Sequence, residues 1–214
     1  MRNGTLNNYV KWSRKFGGVR KCFEGKPIIA VGGFMIDTSL MPVNGNAMAA
    51  GTLVFADEVA RTIVPLYTFK VKSVDANAKT ITVEKFETGS IAKAGMKLIV
   101  VGDNLSTAAV NASTIVSINS DASDVDVLTV DAVTGITEGD VLAEAGADNK
   151  IKVVPNGLTC CDNVLDSDAY AMDIDYVWNC MEKPVLENRM PPLTASLKKA
   201  LRDNECYFRF SPRK

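Results

Sequence analysis

The chain has 214 residues, 47% of them apolar, and a formal net charge of −1. That size and apolar content argue against global disorder and allow a sizeable core without disulfides or metal. Histidine is absent, which excludes Ser-His-Asp and Cys-His catalysis, a histidine general base and His-ligated zinc.

The charges fall in blocks. Near the start, Arg2, Lys11, Arg14, Lys15, Arg20, Lys21 and Lys26 face a single acid, Glu24. From Val101 to Asp168 acids dominate, opposed by Lys150 and Lys152, and from Lys183 the balance is basic again. Such blocks read as solvated surface or, more sharply, as basic ends gripping an acidic partner or neighbouring copies of the chain. No run is long and apolar enough to span a membrane. The basic start lacks the apolar core and cleavage site of a signal peptide. The cysteines, Cys22, Cys160, Cys161, Cys180 and Cys206, do not form a secreted disulfide framework and read as reduced thiols of a chain made in the cytosol.

In chain order, residues 1–50 read as a basic N-terminal arm. Tyr9 to Phe16 predicts a short helix in which Trp12 and Phe16 share a face among Lys11, Arg14 and Lys15. Basic residues interleaved with aromatics bind nucleic acid in some proteins. A short arm without a recognisable module instead favours docking on another protein. Pro27 to Leu40 predicts a buried strand bulged at Gly32-Gly33, and Met41 to Gly51 a turn-rich linker. Residues 51–159 read as a β domain. A strand at Leu53 to Phe55 turns at Asp57, with a short helix to Thr62 as the other option, and a second strand follows toward Val64.

From Thr68 to Leu142 one unit is written twice: strand, polar turn, strand, Gly loop, and a third strand approached through a second Gly. The first copy holds F-K-V-K-S-V-D, T-I-T-V-E, Gly89 and A-G-M-K-L-I-V, and the second T-I-V-S-I-N, D-V-L-T-V-D, Gly135 and E-G-D-V-L. Short β-branched strands at regular spacing predict a small antiparallel barrel or sandwich. Ile151 to Thr159 predicts a strand ended by Pro-Asn-Gly. Residues 160–214 read as a strand-helix-strand element: a strand over Tyr170 to Met181, a break at Pro184, Pro191 and Pro192, and a helix from an N-cap at Thr194 to about Asp203. Leu197, Ala200 and Leu201 share one face of that helix, and a short aromatic strand runs over Cys206 to Phe210.

Candidate chemistry is sparse. Asp121, Asp124 and Asp126 offer oxygen donors, but an EF-hand spacing and its Gly are missing, so an acidic hairpin turn is the simpler account. Scattered cysteines around one adjacent pair do not make a zinc site. Asp173 and Asp175 share a strand face, a geometry open to acid–base work. Beside Tyr170, Tyr176 and Trp178 they read more simply as the wet face of a sheet. Ala94 to Lys97 lacks the Ser/Thr of a phosphate loop.

Four stretches carry a resemblance: A-G-T-L-V-F-A-D…A-R-T (Ala50 to Thr62), K-V-K-S-V-D…K-T-I-T-V-E, T-G-I-T-E-G-D-V-L-A-E-A-G-A followed by V-P-N-G-L (Thr134 to Leu158), and P-P-L-T-A-S-L-K-K-A-L (Pro191 to Leu201). In order and spacing, Ala50 to Phe210 resembles the head fiber proteins of tailed bacteriophages of Bacteroidetes. The resemblance implies a virion protein without catalytic residues or cofactors, on the phage head surface and made in the bacterial host cytoplasm. Its partners would be the major capsid protein and further copies of itself, as a trimer or dimer. With no coiled-coil heptads or collagen repeat for a shaft, it implies a capsid decoration or fiber base. Lys11, Trp12, Arg14, Lys15, Phe16, Arg20 and Lys21 are then the candidate capsid-docking residues. The rival expectation is a carbohydrate-binding module using Tyr170, Tyr176 and Trp178 as an aromatic platform.

Overall fold

The computed structural model describes residues 22–43, 45–109, 111–165 and 171–212. Ahead of the repeat the chain forms β1 (Ile28–Ile29), β2 (Phe34–Asp37), β3 (Ala47–Met48), β4 (Leu53–Asp57) and β5 (Thr62–Leu66). The first copy of the repeat forms β6 (Thr68–Asp75), β7 (Thr80–Glu84) and β8 (Lys97–Val100). The second forms β9 (Ser113–Asn119), β10 (Val125–Val130) and β11 (Val141–Glu144). These six strands close into one antiparallel barrel in the order β10-β7-β6-β11-β8-β9.

Exchanging the two copies leaves every pairing in the barrel unchanged. The exchange axis passes between Ile81 and Leu128, which face each other, and between Ile99 and Ala143. Hydrogen bonds repeat in pairs. Gly95 N–H donates to the Ile115 carbonyl at 2.8 Å, and Gly139 N–H to that of Val71 at 3.0 Å. Ile115 N–H donates to Met96, and Val71 N–H to Asp140, both at 2.9 Å. The register shifts repeat as well, between Val71 and Ser73 against β7 and at the matching Ile115–Ser117 step against β10. Such bulges bend the strands and sharpen the twist a small barrel needs. Gly95 and Gly139 have φ of 85° and 89°, and a Cβ added at either would meet nothing within 4 Å. They are glycine for backbone conformation alone.

The alternation read in the sequence decides which side chains fill the barrel. Phe69, Val71, Ile81, Val83, Leu98, Ile115, Leu128, Val130 and Leu142 are all buried in one core. Each such side chain contributes roughly 1.5–3 kcal/mol through burial.

After the barrel come β12 (Gly157–Thr159), β13 (Asn163–Val164), β14 (Ala171–Ile174), β15 (Tyr176–Leu186), α1 (Ala195–Asp203) and β16 (Tyr207–Ser211). They join the early strands in an eight-stranded mixed sheet, β1-β15-β12-β4-β5-β2-β14, with β16 parallel to β15. β3 and β13 form a separate pair. The helix is as the sequence reading has it: Thr194 Oγ1 accepts from Leu197 N–H at 3.3 Å, and Leu197, Ala200 and Leu201 are buried. Leu197 and Leu201 cover Leu53, Leu66, Leu158, Val177 and Val185 in a second core.

Several local expectations are corrected. Pro27 to Leu40 is two strands, because Gly32 (φ 95°) and Gly33 (φ 62°) turn the chain from β1, beside β15, across to β2, beside β5 and β14. Met41 to Gly51 is no exposed linker, since Met41, Ala47, Met48, Ala49 and Ala50 are buried. Between β4 and β5 the chain makes the turn expected at Asp57 and not the alternative short helix: Asp57 Oδ1 accepts from Val59 and Ala60 N–H at 2.8 and 2.9 Å. The strand expected over Ile151 to Thr159 begins only at Gly157, after the Pro-Asn turn. There the Asn156 side chain accepts from Ala56 N–H and donates to its carbonyl, standing in for a strand residue. The strand expected over Tyr170 to Met181 breaks at Asp175, and β15 then runs through Pro184 with a register shift between Cys180 and Val185. The strand pairing also cuts across divisions at 50 and 159: β4, β5 and β12 share a sheet with strands from both ends of the chain.

Two pairs of substitutions test the internal symmetry. Ile81→Ala and Leu128→Ala should each cost roughly 2–5 kcal/mol, and Gly95→Ala and Gly139→Ala roughly 1–3 kcal/mol each, as read by urea unfolding. Unequal effects within either pair would show that the two halves are not energetically equivalent.

Candidate functional site

A cleft of about 640 Å³ lies where one end of the barrel meets the segment from Glu187 to Leu193. Period-two alternation along β10 turns Asp126 to the same side as Leu128 and Val130, the barrel interior. Asp126 is therefore buried, and Lys85, just past β7, reaches it at 3.1 Å. Lys85 Nζ also donates to the carbonyls of Ser120 and Ala122 at 2.7 and 2.5 Å. The ammonium is directed at the two carbonyls, so the contact with Asp126 is an ion pair rather than an aligned hydrogen bond; Asp126 Oδ1 accepts none. The pair plugs the barrel mouth and ties down the acidic hairpin. Outside it, Lys72 pairs with Asp124 at 3.1 Å. The cleft wall mixes Lys70, Lys72 and Lys85 with Glu84, Glu87, Asp124, Asp126 and Glu187. It presents no single sign of charge and no nucleophile–base pair.

The residues singled out from sequence land in different places. Asp121 is exposed, while Asp124 and Asp126 pair with lysines. Among the described residues no group of three or more His, Cys, Asp or Glu is placed to hold a metal ion. Asp173 lies on β14, with an added Gly33 Cβ only 2.2 Å from its Oδ1. Asp175 lies in the break before β15. Both are exposed, and neither lines the three clefts described in this section. Tyr176 is withdrawn from the expected aromatic platform. Tyr176 is 5% exposed, packs edge-on against Phe34 at 4.9 Å and donates its hydroxyl to Glu58 Oε1 at 2.7 Å. Trp178 is partly exposed, and Tyr170 lies outside the described residues. Ala94 to Lys97 is the turn into β8, with no helix after it. The capsid-docking candidates Lys11, Trp12, Arg14, Lys15, Phe16, Arg20 and Lys21 also lie outside the described residues.

Cys22 and Phe23, which follow the basic run in sequence, are both buried. Leu186 N–H donates to the Cys22 carbonyl at 2.8 Å, Glu24 N–H donates to Pro184 at 3.2 Å, and Phe23 bridges to Val185. The root of the basic segment is thus fixed along β15.

A second surface was only half legible in the sequence. A groove of about 360 Å³ runs between α1 and β16, floored by Met181, Tyr207, Phe208 and Phe210 and rimmed by Lys198, Lys199 and Arg202. Lys198 sits 5.4 Å from the centre of the Phe210 ring and pairs with Glu187 at 2.6 Å. The alternating aromatics, the helix and the basic balance from Lys183 were visible as local patterns. That they line one groove follows from the tight turn after Asn204. A third cleft, also about 360 Å³, lies under the loop over residues 101–109, against Ile99, Ala143 and Ile151.

The cysteines are free. Burial, then the adjacent Cys161, pushes the Cys160 thiol up to about 12. Burial, then Glu205, pushes Cys206 up to about 11. Only Cys161 is exposed. No protein-family model, curated protein or solved structure matches this chain.

Lys85→Met should cost roughly 3–5 kcal/mol by leaving Asp126 buried without its counter-ion, and Lys85→Met/Asp126→Leu should recover a large part of that loss. Chemical unfolding of the single and double variants checks it. For the thiols, raised values leave little thiolate at pH 8. Iodoacetamide there should alkylate Cys161 well before the other four, and peptide mass spectrometry showing Cys160 or Cys206 labelled equally fast would contradict this assignment.

Proposed function

We propose that the chain is a non-catalytic structural protein of a phage head, a capsid-surface decoration or the base of a head fiber, held on the major capsid protein by its basic N-terminal segment. The observation that carries this reading is the fixed root of that segment. Cys22 and Phe23 are built into the second core beside β15. Ahead of them the sequence carries Arg2, Lys11, Arg14, Lys15, Arg20 and Lys21 and no Asp or Glu. A cationic segment with aromatics, rooted in a rigid sheet, suits an acidic protein surface and gains on-rate from long-range attraction. The order of motifs from Ala50 to Phe210 supports the virion assignment, and the clefts add no constellation that asks for a reaction. Self-association of copies belongs to the same reading.

The burial of Cys22 and Phe23 sets where the segment can be cut. Removal of Met1 to Lys21 should leave the thermal unfolding transition in place and abolish binding to empty capsids. Binding by the full chain should weaken steeply as salt rises from low to physiological strength, because exposed charges are screened over about 8 Å there. A truncated chain that still decorates capsids would overturn the anchoring role.

A further inference from the structure

We infer that copies of this chain join head to tail by strand addition, the open edge of β14 in one copy pairing with the open edge of β16 in the next. The inference rests on the self-association in the proposed function and on nothing about capsids. Among the described residues β14 pairs with β2 alone and ends the sheet opposite β1, and β16 branches from β15 and pairs with it alone. An open edge is a template for another strand, and proteins blunt such edges with charge. Here the two edges carry opposite charge.

β14 is flanked by the exposed Asp173 and Asp175, and in sequence follows Asp166 and Asp168. β16 carries the exposed Arg209, faces Lys198, Lys199 and Arg202 across the groove, and is followed in sequence by Arg213 and Lys214. Lys198 pairs with Glu187 and Lys199 with Asp203, so the basic character of this edge rests on Arg202 and Arg209, which form no ion pair among the described residues. Pairing β14 with β14, or β16 with β16, sets like charges against each other, which disfavours a two-fold dimer through either edge. Pairing β14 with β16 sets carboxylates against guanidinium and ammonium groups. The incoming strand would also cover Met181 and Tyr207, which are 52% and 45% exposed. The lengths match, four residues against five. An interface between two different patches of the same chain is heterologous, so it builds rings where the rotation closes and open filaments where it does not.

Light scattering on the purified full chain in low salt, with no capsid present, tests this. The native chain should exceed monomer mass as concentration rises and return toward it in high salt. Asp173→Lys/Asp175→Lys sets two lysines against Asp166 and Asp168 and cancels the charge of the β14 edge, and Arg202→Glu/Arg209→Glu likewise cancels that of the β16 edge, where Lys198 and Lys199 are already paired with Glu187 and Asp203, so each variant alone should stay monomeric. An equal mixture of the two should associate again, since the unchanged acidic β14 edge of one variant then meets the unchanged basic β16 edge of the other. If either double variant shifts the thermal transition, Asp175→Lys and Arg209→Glu alone take its place. A native chain that stays monomeric, a variant that associates by itself as the native chain does, or a mixture that stays monomeric would overturn the inference. Failure to bind capsids leaves this readout unchanged, so the two readings fail separately.

Discussion

Closure of the barrel depends on β8 and β11, each of which finds both its neighbours in the other copy of the repeat. β8 lies between β11 and β9, and β11 between β6 and β8. Neither copy can satisfy the backbone groups of its own third strand, and a buried backbone group left without a partner costs as much as a lost hydrogen bond. The duplication is therefore not two small modules in series but two halves that fold onto each other. The second layer depends on this closure. β5 passes into β6 through Tyr67 alone, whose buried hydroxyl donates to the Leu40 carbonyl at 2.7 Å. Burial, then Glu144, holds that phenol protonated far above its usual range. Thr68 Oγ1 donates to the Pro192 carbonyl at 2.8 Å, pinning the segment that leads to α1.

Closure also sorts the surface. Six strands lose their edges inside the barrel, which leaves the exposed strand edges to the mixed sheet. Those edges gather what a partner would read: a row of carboxylates at β14, cations and aromatics at β16, and the root of the basic segment beside β15. The barrel mouth, by contrast, holds a Lys85–Asp126 pair bound up with its own hairpin. Chemistry-bearing residues in this chain are spent on holding turns and closing ends, while its open edges stay charged.

The repeat was legible because everything that specifies it is local: β-branched residues at alternate positions, Asp, Asn and Ser in the turns, and paired glycines where φ must be positive. The helix was legible for the same reason, from Thr194 as its cap and Leu197, Ala200 and Leu201 at helical spacing. The mixed sheet was not. Its strands come from both ends of the chain, two of its pairings are parallel, and β1 and β12 hold only two and three residues. Alternation over so few residues carries no signal. The run through Pro184 defied the usual rule because the ladder shifts register there and the proline carbonyl still accepts from Glu24. Of the candidate site residues, Tyr176 misled for a physical reason. An aromatic beside acids in an alternating strand reads as surface, but Gly157 on the facing strand leaves a hollow into which the ring fits: a Cβ there would lie 2.3 Å from it.

Amide hydrogen exchange at two protein concentrations tests the account most directly. Symmetry-related amides, Val71 with Ile115 and Val101 with Ala145, should exchange as one slow class, opening together and independently of concentration. The outward amides of β14 and β16 should exchange fast when dilute and gain protection together when concentrated. Halves of the barrel that open separately, or edges equally unprotected at both concentrations, would contradict it.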